Sequence, residues 1–304
     1  MEKRQLGRTG CEITALGFGG MELHKLDEDS AVKLLNRALD LGISYVDTSP
    51  EYPMSEYYIG KAIAGRRGEY TLATKCGDNM TGEGPLYLFD RKTIVANVEE
   101  SLRLMKTDHV DVLQLHGVIP EYFPEDSFDE VMDVMRKIRD SGKALHIGLT
   151  ICNKAPGSYG YPAGYGYNSI LRFAPVKDVE VIQLVYGGLT RLSENVISEA
   201  HRRYGTGIVA RGLIKKYDSS YPEKLKASRL SELCGPGESE TDFLIRYALT
   251  HPALSAVVIG TKSLTHLERN AALAEKGKLS ADIYEEAGRR LNYAGAVAGP
   301  VDMA

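Results

Sequence analysis

What most constrains this chain is a regular alternation in which short apolar runs of strand character recur between segments with a helical apolar period. The runs are Ala15–Phe18, Ile43–Val46, Tyr70–Ala73, Val110–Leu115, Leu145–Leu149, Val179–Val185, Gly207–Ala210 and Ala256–Ile259, eight in all. Between them, Ala31, Leu34, Leu35, Ala38 and Leu39 mark one helix from near Asp29 to Gly42, and Ile94, Val98, Leu102 and Met105 mark another after Asp90. Val131, Val134, Met135 and Ile138 follow a capping-box pattern at Ser127 and Glu130 and stop at Gly142. Further stripes are Val196, Ile197 and Ala200 before Gly205, then Phe243, Leu244, Tyr247 and Ala248, then Leu264, Leu267 and Ala271. Strands that alternate with helices run parallel, with the helices crossing over outside. Their unbroken apolar runs fit burial on both faces.

Eight such units close into a barrel or spread into an open doubly wound sheet, and alternation alone does not choose. No strand leads into a Gly-x-Gly-x-x-Gly turn. Gly17-Phe18-Gly19-Gly20 lacks the third glycine and an immediate helix, which speaks against a dinucleotide-binding open sheet. Arg4–Leu6 and Glu12–Thr14, around Thr9-Gly10, read as a hairpin that precedes the barrel and plugs its bottom. Length allows two domains, but α/β barrels of about this size are commonly one, so residues 1–304 are expected to form a single domain. A net charge of −4 gives no reason to expect nucleic acid or an anionic membrane as a partner. No apolar run approaches the ~20 residues of a membrane span, and no apolar segment of a secretory signal follows Met1-Glu2-Lys3-Arg4. The cysteines, Cys11, Cys76, Cys152 and Cys234, are far apart and form no Cys-x-x-Cys pair. A cytoplasmic protein without a disulfide framework or metal catalysis is the expectation.

In a barrel, reacting groups sit at the carboxyl ends of strands. Asp47, Lys75 and His116 end three successive strands, and Tyr52 lies five residues past Asp47. Neighbouring strands are about 5 Å apart, so these side chains converge. Reducing a carbonyl builds negative charge on oxygen as hydride reaches carbon, and that requires a positioned proton donor. Phenol is a sluggish acid, and a lysine ammonium beside it favours the phenolate and eases donation. An aspartate keeps that lysine charged and oriented, and a neutral imidazole hydrogen-bonds the substrate oxygen. Taken singly, each residue has a plain structural reading. Asp47 caps the turn at Thr48-Ser49-Pro50, Lys75 ends a strand, His116 is a core histidine, and Tyr52 is one of 18 tyrosines. Lys75 also admits another chemistry, as the Schiff-base lysine of an aldolase-type barrel.

Several segments carry a closer likeness. Gly42-Ile-Ser-Tyr-Val-Asp-Thr-Ser-Pro-Glu-Tyr52, Ser55-Glu-Tyr-Tyr-Ile-Gly60, Leu72-Ala-Thr-Lys75, Ser101-Leu-Arg-Leu104, Asp108-His-Val-Asp-Val-Leu-Gln-Leu-His116, Gly142-Lys-Ala-Leu-His-Ile-Gly148 and Val258-Ile-Gly-Thr-Lys-Ser263 occur in this order. Through them the chain resembles the aldo-keto reductase family over essentially its whole length. The resemblance implies a (β/α)8 TIM barrel, a catalytic tetrad of Asp47, Tyr52, Lys75 and His116, and NADPH, with NADH possible, without metal or flavin. Members with His at the last position reduce carbonyls, so the substrate is expected to be a small carbonyl or sugar-like molecule. It also implies cofactor residues. Gln183, aided by Thr150, would meet the nicotinamide carboxamide. Gly260 to Asn270 would hold the adenosine end, with Lys262 and Ser263 at a 2′-phosphate and Asn270 and Arg269 around the adenine. Gly20 and Met21, after the first strand, complete the set. An alternative on the same fold is a nicotinamide-sensing regulatory subunit.

The chain departs from the family pattern in three places. Ile151 stands where the family usually has Asn, Tyr186-Gly187 replaces Tyr-Asn, and Ile208-Val-Ala-Arg-Gly-Leu-Ile214 lacks the usual aromatic and Ser-Pro-Leu. Arg211, by its guanidinium plane, or Tyr186 would then stack on the nicotinamide. Loops 78–90, 117–126 and 152–168 are expected to rim the pocket, with the Tyr- and Gly-rich stretch Tyr159–Tyr167 as a lid.

Overall fold

The computed structural model describes residues 1–123, 127–151, 165–214 and 220–299. A two-stranded antiparallel hairpin, β1 (Lys3–Gln5) and β2 (Glu12–Thr14), precedes eight barrel strands. These are β3 (Leu16–Gly19), β4 (Tyr45–Asp47), β5 (Thr71–Cys76), β6 (Val110–Val118), β7 (Ala144–Ile151), β8 (Val181–Val185), β9 (Gly207–Arg211) and β10 (Leu254–Gly260). They pair in sequence order, all parallel, and β10 closes on β3, so the open-sheet alternative is excluded. The surrounding helices are α1 (Glu28–Asp40), α2 (Ser55–Ala62), α3 (Arg91–Met105), α4 (Ser127–Asp140), α5 (Tyr165–Phe173) and α6 (Glu194–Tyr204). They continue with α7 (Tyr221–Ser228), α8 (Glu240–Thr250), α9 (Leu264–Lys276) and α10 (Ala281–Tyr293). No helix among the described residues is long and apolar enough to cross a membrane.

Local chemistry sets the helix ends. Asp27 and Asp90 cap α1 and α3 by accepting the backbone N–H of Ser30 at 2.8 Å and of Thr93 at 3.0 Å. The helix expected from the capping-box pattern at Ser127 and Glu130 does begin at Ser127, and the preceding residues lie outside the described ones. A complete box forms at the start of α8, where Ser239 and Asp242 each accept from the other's backbone N–H.

The bottom of the barrel is closed by the hairpin. Leu6, fully buried, packs with Tyr45, Ala73, Val112, Val181, Val209 and Ala256 inside the barrel. Gly7, at φ +54, passes so close to the backbone of Gly207 that a β-carbon would collide with it. Arg4 donates to the carbonyl of Leu254 at 2.8 Å, and Arg8 to those of Lys177 at 2.9 Å and Val179 at 2.6 Å. These bonds tie the plug to the entries of β8 and β10.

Side chains on a strand alternate between its faces. The residues two positions beyond the apolar interior layer therefore also point inward, one layer higher. They are Asp47 after Tyr45, Lys75 after Ala73, Gln114 after Val112, Gln183 after Val181 and Arg211 after Val209. The barrel thus changes from apolar to polar at its carboxyl end.

Candidate active site

That polar layer is a connected network. Lys75 is fully buried, and its Nζ donates to Asp47 Oδ2 at 2.9 Å and to the carbonyl of Thr48 at 2.6 Å. Burial alone would pull the Lys75 ammonium down. The charges of Asp47 and Tyr52 and the bond to Asp47 outweigh it and hold the amine above the ordinary lysine range. An amine held protonated is a poor nucleophile, which takes the chemistry from the Schiff-base alternative. Asp47 accepts from two more donors, Gln183 Nε2 at 2.7 Å and Gln114 Nε2 at 3.3 Å.

Tyr52, on the loop between β4 and α2, is half-buried with its ring under the Lys75 ammonium, 4.9 Å from Nζ to the ring centre. The imidazole of His116 stands edge-on to that ring, with centroids 6.3 Å apart. Asp47, Lys75, Tyr52 and His116 therefore converge, as the parity of the strands requires. Around His116 lie groups that the sequence did not single out. Asp78 Oδ1 is 2.5 Å from His116 Nδ1, and Ser49 Oγ donates to Asp78 Oδ2 at 2.9 Å. The ring of Tyr87 lies 5.1 Å from that of His116. Glu51, Asp78 and His116 bring possible metal-ligand atoms within 4.8 Å of one another. His116 Nδ1 is engaged by Asp78, so a hydrogen-bond network accounts for this grouping without an ion.

A cavity of about 400 Å³ opens beside the network across the carboxyl ends of β9, β10, β3 and β4. Asp47 and Tyr52 form one wall, Gly19, Met21 and Glu22 a second, Arg211 to Ile214 a third, and Val258 to Gly260 the last. Of the cofactor residues expected from sequence, Met21, Arg211 and Gly260 line it directly. Gly20 lies just behind, 3.2 Å by its would-be β-carbon from the carbonyl of Asp47. Thr150 and Gln183 are adjacent in register on β7 and β8, and both are fully buried. Thr150 Oγ1 accepts the backbone N–H of Gly117 at 2.9 Å. Gln183 Oε1 is buried with no hydrogen-bond partner, as is Gln114 Oε1. Gln183 is bonded to Asp47, which lines the cavity, and an orphaned amide oxygen beside it calls for a donor, for which a carboxamide –NH2 is fitting.

Lys262 and Ser263 follow directly on the Gly260 wall. Lys262 is exposed and forms no ion pair among the described residues. Ser263 caps α9 by accepting the N–H of His266 at 3.3 Å. Asn270 is half-buried further along α9. Arg269 is anchored on Asp242, at 2.8 Å from Nε to Oδ1, which orients its exposed guanidinium while Nη1 has no bond among the described residues.

Tyr186 is a correction. Its ring is fully buried against His251 and its hydroxyl donates to Glu194 at 2.7 Å, so it cannot reach the cavity or stack on a ring there. Arg211 is the residue that faces Tyr52 and Asp47 across the cavity, with Nη2 donating to the carbonyl of Ile151 at 3.3 Å. Residues 124–126 and 152–164 of the expected rim, including most of the proposed lid, lie outside the described residues.

Comparison with known proteins agrees with this fold. The profile of the Aldo/keto reductase family matches residues 15–287. The chain is 28% identical to L-galactose dehydrogenase of Arabidopsis thaliana, covering 93% of this chain and 91% of that protein. It is 27% identical to the uncharacterized oxidoreductase YqkF of Bacillus subtilis, covering 92% of this chain and 93% of that one. Among solved structures, the holo form of aldo-keto reductase AKR11C1 from Bacillus halodurans superposes with a TM-score of 0.80 over the full length of both chains, at 25% identity. The chain is a member of the aldo/keto reductase family of oxidoreductases.

Proposed function

We propose that this chain reduces an aldehyde or ketone with NADPH, Tyr52 giving the proton, and runs the reaction backwards on the alcohol. The observation that carries the reading is the buried Asp47–Lys75 pair with the Tyr52 ring set 4.9 Å from its ammonium. When bound, the dihydronicotinamide supplies the hydride. Everything else falls to the chain's own side chains. Tyr52 passes its phenolic proton to the carbonyl oxygen. The Lys75 ammonium stabilises the phenolate left behind, and Asp47, held by Gln114 and Gln183, keeps Lys75 in place. His116 holds the substrate oxygen from the other side.

Gln183 and Thr150 would hold the carboxamide, Gly20, Met21 and Arg211 the nicotinamide side of the cavity, and Gly260, Lys262, Ser263, Asn270 and the face of Arg269 the adenosine. NADPH is the favoured form, because Lys262 is an exposed cation, unpaired among the described residues, beside a capped helix N-terminus. The polar groups Ser49, Glu51 and Asp78 near His116 suit a hydroxylated substrate, in keeping with the sugar in one relative's name. We place the protein in the cytoplasm, as one domain spanning residues 1–304. Cys11, Cys76 and Cys234 are free thiols, which fits a reducing compartment.

Tyr52→Phe is the test. It should retain NADPH affinity while losing about 10²–10⁴-fold in kcat for a generic aldehyde, followed by the disappearance of reduced nicotinamide absorbance. Unchanged turnover would refute the assignment. Wild type that binds NADPH but turns over no aldehyde, sugar or quinone would favour the regulatory-subunit alternative.

A further inference from the structure

Asp78 is the buried carboxyl nearest His116, and proton donation by Tyr52 makes no use of it. Its position is fixed from several sides. Asn97 Oδ1, on α3, accepts the backbone N–H groups of Gly77 and Asp78, both at 2.9 Å, and Asn97 Nδ2 donates to the carbonyl of Asp78 at 3.2 Å. Ser49 holds the outer carboxylate oxygen at 2.9 Å, and the inner oxygen meets His116 Nδ1 at 2.5 Å. Both partners are buried, His116 6% and Asp78 2% exposed, so water competes poorly for this bond.

The bond limits what His116 can do. A neutral imidazole carries one N–H. If that proton lies on Nδ1, toward Asp78, then Nε2 has only a lone pair and cannot stabilise charge growing on a substrate oxygen. Nε2 becomes a donor only when the two groups together hold a second proton. In that state the dyad is neutral overall, an imidazolium beside a carboxylate or its equivalent with the shared proton moved across. Once the proton is lost, a net negative charge remains in a closed site that already contains Asp47.

Burial would push the Asp78 carboxyl up. The hydrogen bond and charge of His116, the Ser49 bond and the charge of Lys75 together hold it below the usual aspartate range, so the carboxylate form prevails. The other ionisable groups facing His116 are Glu51, 3.6 Å from Nδ1 and partly exposed, and the phenols of Tyr52 and Tyr87.

We propose that Asp78 is a positioning residue that makes His116 Nε2 a hydrogen-bond donor to the carbonyl oxygen, and that the Asp78–His116 dyad sets the pH range in which reduction proceeds. The proposal rests on the reductase reading for its consequence but not for its geometry. During reduction no proton leaves the dyad, because Tyr52 supplies the transferred one. When the dyad has lost its second proton, Nε2 accepts instead. It then suits the hydroxyl of an alcohol, so the limb on which reduction falls with pH is the limb on which oxidation rises.

The experiment compares wild type, Asp78→Asn and Ser49→Ala by two readouts across a pH series. One is the protonation of His116 Nε2, followed by nitrogen NMR of histidine-labelled protein. The other is kcat/KM for benzaldehyde with NADPH and for benzyl alcohol with NADP+. In Asp78→Asn the carboxylate charge is gone, so the imidazole should lose its second proton at lower pH by about 1–3 units. The falling limb of reduction should leave its wild-type position, moving down with that loss where the Asn oxygen accepts from Nδ1 and vanishing where the Asn amide donates to Nδ1 and leaves the remaining proton on Nε2. The rising limb of oxidation should follow it. A uniform loss of rate at every pH, with the NMR midpoint unmoved, would overturn the proposal and leave Asp78 a structural residue. If wild type turns over neither substrate, the NMR readout still decides the dyad, and it is the reductase reading that fails. If Asp78→Asn does not fold, Ser49→Ala decides. Losing the donor to Asp78 should shift the midpoint to higher pH, and no shift would overturn the dyad.

Discussion

Glu56 offers a quantitative check on the packing beneath the site. It lies in the first turn of α2, 3% exposed, with its carboxyl oxygens accepting from Thr74 Oγ1 at 2.6 Å and Ser101 Oγ at 3.0 Å. Among the described residues no cation pairs with it directly. Burial raises its pKa from 4.5 to about 7, against the two hydroxyl bonds that lower it. Below 4.5 the folded and unfolded chains both carry the proton, so this group's contribution to stability is fully present. Between 4.5 and about 7 the unfolded chain ionises and the folded one does not, and stability falls throughout that window. At about 1.4 kcal/mol per unit, the loss above the window is on the order of 3 kcal/mol. Glutamine in its place never ionises, and the two hydroxyls can rotate so that one donates to the amide oxygen and the other accepts from the amide nitrogen. Glu56→Gln should therefore be more stable than wild type on the alkaline side of the window, by as much as ~3 kcal/mol. Below the window the two should be nearly equal. Urea unfolding of both proteins across the range isolates the effect in their difference, because every other titrating group is common to both. A difference that does not change with pH would refute the reasoning.

Two further outcomes test the cofactor side and a third the cavity wall. Lys262→Ala should weaken NADPH relative to NADH by ~1–3 kcal/mol if the lysine meets the 2′-phosphate, and equal weakening of both in a binding titration would return it to a solvated loop. Arg211→Tyr should tighten NADP+ relative to NADPH by about 1 kcal/mol, because a cation against the ring repels the oxidised, positively charged form; an unchanged ratio of the two Kd values would place Arg211 away from the ring. Gly187→Ala should cost about 1–3 kcal/mol of stability by denaturant unfolding, since its β-carbon would lie 2.5 Å from the carbonyl of Leu213, and a neutral effect would mean that the chain there moves aside freely.

Where a segment carried a strong period, it was legible in the sequence. The eight apolar runs locate all eight strands, and Arg4–Leu6 lies one residue from the observed β1. The stripes found α1, α3, α4, α6, α8 and α9. The short α2 and α5 were not legible as helices, because eight and nine residues give too few turns for a stripe. Nor were α7 and α10, which stand outside the strand-helix alternation and cover a separate cluster around Tyr221, Phe243, Tyr247 and Leu291. In the site, position at strand ends was enough to pick Asp47, Lys75 and His116. Gln114 had a signal that went unread, since it shares a strand face with His116 two residues away. Asp78 had almost none. Three residues past Lys75, beyond the end of β5, its approach to His116 depends on how Asn97 of the distant α3 pins the backbone there. Tyr186 failed for the reverse reason. Its place at the end of β8 suggests the cavity, but the side chain belongs to the other face, where Glu194 and Arg191 form an ion pair that accepts its hydroxyl.

The three departures from the family pattern, scattered in sequence, meet at one point in space. Ile151, Gly187 and Arg211 stand at the ends of the neighbouring strands β7, β8 and β9. Without an Asn side chain at 151, the backbone carbonyl there is taken by the guanidinium of Arg211. Arg211 in turn is followed by Gly212-Leu213, and the Leu213 backbone approaches Gly187, two residues past β8, so closely that a β-carbon there would lie 2.5 Å from its carbonyl. The carbonyl of Arg211 also accepts the N–H of Tyr186 at 3.2 Å, which joins the two strand ends beside that approach. Each replacement makes room for another, so they read as one rearrangement of the cavity wall and not as three independent losses. Restoring any single family residue should then fail to restore the family arrangement. An Asn at 187 meets the Leu213 backbone, and an aromatic at 211 leaves the Ile151 carbonyl without its donor.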